Sequence, residues 1–208
     1  MNINHILIVM TEPKSIFFEI LLKYFRSKSF KRNKKKISIV GNISLINKEI
    51  KKNKYKIKIN EILDIRNSKN NFINLINIKI NKNHRNNNHI NYISDCFSKS
   101  LSILKKNKNV ALLNGPINKK TFLKKNYLGI TEYLAKKTNS KNPVMLIYNK
   151  KLSVSPITTH LPIKYVSKNI NKSKIIKKVK SINSFFIKNI NKKPKIAVLG
   201  LNPALGSC

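Results

Sequence analysis

Short β-branched apolar runs alternate along this 208-residue chain with segments whose apolar residues recur at helical spacing. No other feature limits the fold as much. A continuous apolar run of four or five residues reads as a strand buried on both faces, and a parallel sheet flanked by helices buries strands that way. Ile6-Leu7-Ile8-Val9-Met10 is the first such run, and Glu12-Pro13 ends it. Ile16, Phe17, Ile20, Leu21 and Tyr24 then predict a helix over Ser15 to Arg26, with Ser15 as N-cap. Ser27 to Lys36 reads as a polar connection. Ile37 to Val40 reads as a second strand closed by Gly41, and Ser44 to Lys51 as a short helix. Tyr55 to Ile59 and Phe72 to Ile80 read as strands interrupted by Asn and Lys, and residues 81–88 as a polar loop.

The second half repeats the alternation. Ile90, Ile93, Phe97, Leu101 and Leu104 fall on one helix face. Val110 to Leu113 is a buried strand ending in the turn Asn114-Gly115-Pro116. Thr131 to Lys137 is helical, and Val144 to Tyr148 and Val154 to Thr159 read as strands, the second ending at His160. Ile176, Val179, Ile182, Phe186 and Ile190 mark a longer helix, and Ile196 to Leu199 a last strand before Gly200. The expected fold is therefore α/β, a mostly parallel sheet with helices on both faces. A final strand with no covering helix suggests a fold that is C-terminally incomplete.

Composition narrows the function classes. Lys and Arg number 44 against 7 Asp and Glu, a formal charge of +37. That charge invites a nucleic-acid reading. Yet only four of the cations are Arg, the residue that reads base edges with a planar fork. The 40 Lys are spread over the whole chain, and with 32 Asn and 33 Ile they share A/T-rich codons. Compositional drift on solvated faces accounts for the excess better than a sequence-specific nucleic-acid surface does. Hydrophobic residues at 41% are too many for a disordered chain. Two Cys, Cys96 and Cys208, build no disulfide scaffold. No apolar run reaches the roughly 18–20 residues of a membrane span, and residues 1–10 lack the pattern of a signal peptide. These features lead to the expectation of a soluble, cytoplasmic protein without a membrane partner.

Three segments end apolar runs with Gly, Pro or His: residues 115–119, 158–162 and 200–203. In doubly wound sheets such loops carry the reactive groups, although each also reads as an ordinary turn. His160 is the best single candidate, because an imidazole there can hold a divalent metal, act as a base or cap the turn. His5, His84 and His89 show no ligand spacing with it, and Cys96 reads as packed within its helix. The short signatures of zinc, dinucleotide and P-loop sites do not occur.

In order along the chain, TEPKSIFFE, ALLNGPINKKTF, GITEYLAKKT, TTHLP and PKIAVLGLNP resemble the 4-hydroxythreonine-4-phosphate dehydrogenase family of vitamin B6 biosynthesis. The resemblance spans the whole chain, weakly to about residue 105 and well from about 108 to 203, and covers the N-terminal and central part of the family's length. It implies an α/β enzyme of the isocitrate and isopropylmalate dehydrogenase-like fold, a homodimer. By this resemblance the chain is an oxidoreductase on a CH–OH group. It would use NAD and a divalent cation (Zn, Mg or Co) to oxidise a phosphorylated hydroxy-amino acid, with decarboxylation to 3-amino-2-oxopropyl phosphate.

Residue by residue, the resemblance makes His160 a metal ligand and Thr131 a substrate contact. It leaves the catalytic and cofactor-binding residues unassigned. Departures stand beside the matches. Ile130 replaces a His before Thr131, Ala204 stands where the family has a second metal His, and Lys14-Ser15 and Phe17-Phe18 replace glycine-containing pairs. Those departures keep a second reading open, a catalytically inactive, truncated remnant of the enzyme. The charge alone keeps a third, a basic nucleic-acid-associated protein.

Overall fold

The computed structural model describes residues 3–13, 15–80, 88–124 and 126–200, with the side chain of Asn88 excepted. The chain divides into two compact units, Met1–Lys125 and Asn126–Cys208.

The first unit is built on a five-stranded, wholly parallel sheet in the order β3-β4-β2-β1-β5. Its strands are β1 (His5–Val9), β2 (Lys36–Gly41), β3 (Ile59–Glu61), β4 (Ile73–Asn77) and β5 (Val110–Asn114). The apolar runs at both 6–10 and 37–40 lie centrally, where alternate residues serve two cores. On one face Ile8, Met10, Ile37, Ile39, Ile73 and Leu75 meet Phe18, Leu21 and Phe25 of α1 (Phe17–Arg26) and Ile46 and Ile50 of α3 (Ile43–Lys52). On the other, α4 (Asn88–Lys106) packs against β1, β2 and β5, and its Tyr92, Ile93, Cys96 and Phe97 are buried. Each fully buried aliphatic side chain here contributes about 1.5–3 kcal/mol of apolar transfer.

Buried polar groups in this unit are paired. Asn74 accepts from Asn60 Nδ2 and the Lys69 amide at 2.8 Å each, and donates to the Ile37 carbonyl at 2.8 Å. It thereby fixes edge strand β3 and the loop before β4. His5 Nε2 lies 2.9 Å from Ser38 Oγ, which lies 2.8 Å from Ser68 Oγ.

Three local expectations are corrected in this unit. Ser15 is not the N-cap of α1: Ile16 holds that place, and Ser15 Oγ donates to the Glu12 carbonyl at 2.8 Å, closing the turn before the helix. The connection over Ser27 to Lys36 contains a helical turn, α2 (Lys28–Lys31), because Ser27 Oγ accepts from the Phe30 amide and Phe30 drops into the core. The strand read at Tyr55 to Ile59 lies later, at Ile59–Glu61, where it reaches β4; Tyr55 instead sits under the Arg26 guanidinium, 4.4 Å from its ring centroid. The helix over Ser44 to Lys51 is α3, capped by Asn42, whose Oδ1 accepts from the Ser44 and Leu45 amides. Residues 81–87 of the polar loop lie outside the described residues.

The second unit contains α5 (Ile130–Lys137), two short 3-10 turns and α6 (Lys172–Phe185), which Asn171 caps through the Lys174 amide. The strands expected at Val144 to Tyr148 and Val154 to Thr159 reduce to one antiparallel bridge between Ile147 and Val154. Ile196 to Leu199 is not a strand among the described residues. A strand extends only as far as a neighbour completes its ladder, and among the described residues these runs pair no further than that one bridge.

Candidate functional site

Where strand order reverses, the loops leaving two adjacent parallel strands diverge and open a crevice at their carboxyl ends. Here β2, β4 and β3 extend from one side of β1 and β5 adds to the other, so the reversal falls between β1 and β5. The loops that follow are Thr11 to Ile16 and Gly115 to Asn118. They are tied together: Thr11 Oγ1 donates to the Pro116 carbonyl, and the Gly115 amide donates to the Val9 carbonyl at 3.1 Å. The Phe17 ring closes on Gly115 so tightly that a Cβ there would lie 2.7 Å from its Cδ1 and 2.9 Å from Thr11 Oγ1. Only glycine fits at 115. The close approach that glycine permits is taken by the protein's own Phe17 and Thr11. Asn118 then accepts from the Lys120 and Thr121 amides and turns the chain.

The second unit sets His160 against Gly129, at the start of the helix that carries Thr131. Gly129 is the N-cap of α5, and Thr131, half-buried, is the second residue of that helix. His160 is exposed and holds φ 57°, a left-handed backbone that costs a non-glycine residue about 1–2 kcal/mol. Its Nε2 lies 3.7 Å from the position a Cβ on Gly129 would occupy. Glu132 Oε2 lies 3.1 Å from the same position, so the two atoms are at most 6.8 Å apart. That oxygen is buried and, among the described residues, accepts no hydrogen bond. The absence of a side chain at 129 thus leaves a small cradle at the start of α5, faced by an imidazole nitrogen and an unpartnered carboxylate oxygen. The chemistry of that donor pair, together with the cradle, fits a divalent cation. No group of three or more His, Cys, Asp or Glu gathers among the described residues.

The other candidates resolve differently. Cys96 is fully buried, and burial pushes its thiol up to about 12, an inert packed residue. His5 is buried, and burial first, then the Lys36 charge, hold its imidazole below the usual range. His89 opens α4 on an exposed turn. His84, Cys208, Ala204 and residues 201–203 lie outside the described residues. The segment over 158–162 does not end a strand, contrary to expectation; the chain turns there at His160. Sequence reasoning marked Phe17 as replacing part of a glycine-containing pair but passed over Glu132. Glu132 had a signal, since an acidic residue three places after a helix-starting glycine sits in the first turn, facing back to the cap.

A doubly wound parallel sheet with its strand order reversing at β1/β5, and a second unit with an imidazole and a carboxylate near Gly129, define the class: an α/β protein. Residues 33–207 match the family model of the pyridoxal phosphate biosynthetic protein PdxA, and the chain belongs to that family. It is 46% identical over 96 residues to the 4-hydroxythreonine-4-phosphate dehydrogenase of Sulfurihydrogenibium sp., a match covering 45% of this chain and 30% of that protein. It is 43% identical over 98 residues to the enzyme of the same name from Aquifex aeolicus, covering 46% and 30%. A solved 4-hydroxythreonine-4-phosphate dehydrogenase from Burkholderia phymatum superposes with a TM-score of 0.77 at 18% identity, over 90% of this chain and 59% of that one. The corresponding Klebsiella pneumoniae structure gives 0.75 at 20% identity, over 88% and 59%. The fold is shared with these enzymes, and the matches span less than two thirds of their length.

Proposed function

We propose that this chain is the N-terminal and central part of an enzyme that oxidises a phosphorylated hydroxy-amino acid. NAD would be the hydride acceptor, and His160 would hold a divalent cation. One observation supports this reading above the rest: the imidazole of TTHLP and the helix start of GITE, distant in sequence, lie against each other at Gly129. Each residue then has a defined task. His160 Nε2 offers its lone pair to the cation. Thr131 donates its hydroxyl to the substrate, and the free N–H groups at the start of α5 favour an anionic group beside it. A divalent cation bound there would lower the pKa of the substrate hydroxyl and stabilise its developing negative charge. The resemblance further implies a homodimer in the cytoplasm, and among the described residues no helix is long and apolar enough to cross a membrane.

Following NADH absorbance with 4-hydroxythreonine 4-phosphate, NAD and Mg2+ tests the reading. His160→Ala should lower turnover by more than the roughly 10–100-fold that removing a supporting partner of a ligand costs. Equal NADH formation by the variant and the unaltered chain would reject it.

One feature favours a second reading, a relative that binds cation and substrate without turnover: Phe17 fills the approach at Gly115. Saturable substrate binding with no NADH formed distinguishes it.

A further inference from the structure

A buried carboxylate oxygen without a partner is costly, because its hydration is lost and nothing replaces it. Glu132 Oε2 is in that position, in a chain whose 44 Lys and Arg outnumber 7 Asp and Glu. An ammonium partner would be the easy solution, yet Lys136 and Lys137, one turn along the same helix, lie over the Tyr127 and Tyr133 rings, at 5.6 and 5.8 Å from their centroids. The ordinary task of an acidic residue here would be to reach back to the N-cap amide. Glu132 Oε2 makes no such bond, although it stands beside Gly129. The group facing it across the cradle is His160 Nε2, at most 6.8 Å away.

We propose that Glu132 is a second ligand of the divalent cation held by His160. The inference rests on the cation reading given above and adds to it a residue that the motif matching did not assign. Carboxylate and imidazole together suit Mn2+, Zn2+ or Co2+. The carboxylate also offsets the repulsion that a chain of charge +37 exerts on any free cation.

Binding of Mn2+ to the full chain, followed by loss of the free-ion electron paramagnetic resonance signal, tests this without turnover. Glu132→Gln keeps the shape and the capping capacity of the side chain and removes its charge. It should weaken Mn2+ binding at least tenfold while leaving the thermal transition in place. Glu132→Asp, which keeps a carboxylate, should bind more tightly than Glu132→Gln, and His160→Ala combined with Glu132→Gln should lose less than the product of the single losses. Unchanged affinity in Glu132→Gln, with wild-type binding intact, overturns the role of Glu132 and leaves the His160 reading standing. A wild-type chain that binds no Mn2+ removes both.

Discussion

The two units use the same kinds of apolar segment to different effect. In Met1–Lys125 the apolar runs at 6–10, 37–40 and 110–113 find one another and helices pack on both faces of their sheet, although 110–113, expected to be buried, takes the edge and leaves Leu113 46% exposed. In Asn126–Cys208, among the described residues, Tyr133 is the only buried hydrophobic side chain, while Leu199 and Ile163 are about nine-tenths exposed and Leu152 and Val198 more than half. The lesson is that an apolar run specifies burial only as far as a partner is present to accept it. A ladder neighbour turns 37–40 into β2, whereas 196–199, equally rich in Ile, Val and Leu, remains outside any sheet. The chemistry-bearing residues His160, Thr131 and Glu132 sit in the unit with the sparser core. Their geometry depends on local devices: the missing side chain at Gly129, the left-handed turn at His160 and the start of α5.

This contrast can be broken by mutation. The largest effect is expected for Phe97→Ala, which empties a fully buried position between α4 and the sheet and should cost about 3–5 kcal/mol in denaturant unfolding. Leu199→Ala, at an 89% exposed position, should change stability by less than about 0.5 kcal/mol. Comparable losses from the two would mean that the second unit buries its apolar runs in solution, and the contrast would fail.

A sharper comparison uses Gly115 and Gly129, one close-approach glycine from each unit. Gly115→Ala drives a Cβ to 2.7 Å from Phe17 and should cost about 1–3 kcal/mol, relieved by Phe17→Leu. Gly129→Ala meets the end of the flexible Glu132 side chain at 3.1 Å, so its stability cost should be the smaller of the two. If Gly129→Ala proves the more disruptive on thermal melting, the cradle is rigid and the second unit is better packed than its exposure suggests.

The smallest effect belongs to pH and to the first unit alone. His5 is held below its usual range by burial and by Lys36, so the unfolded chain binds the proton more readily than the folded one. Its contribution is complete above the unfolded value near 6.5 and is lost as pH falls from there through the lower folded value. His5→Gln should flatten the slope of stability against pH over that window. A slope unchanged by the substitution would assign the acid sensitivity to other groups.

Much of the first unit was legible because its signals are local and strong. The run at 110–113 is bounded by turn residues, and the helix through Ile93 and Phe97 keeps one apolar face. The displaced strand at 59–61 was not legible, because Lys and Asn dilute its pattern and its position is set by pairing with β4. At the candidate site, His160 and Thr131 were visible as motif residues, but the approach of His160 to Gly129 was not. Neither was the closure of Phe17 on Gly115, since the spacing of Phe17 reads as an ordinary helix face until Gly115 is brought beneath it.

The sequence by itself determined the longer helices and the family, since a helix of several turns closes its own hydrogen bonds within a few residues and motifs persist as strings. Only the tertiary structure decided which apolar runs became strands, because a strand's amides and carbonyls are satisfied by a different segment of chain. It also decided that Glu132 and His160, twenty-eight positions apart, share one cradle: no periodicity encodes a contact made across an intervening turn.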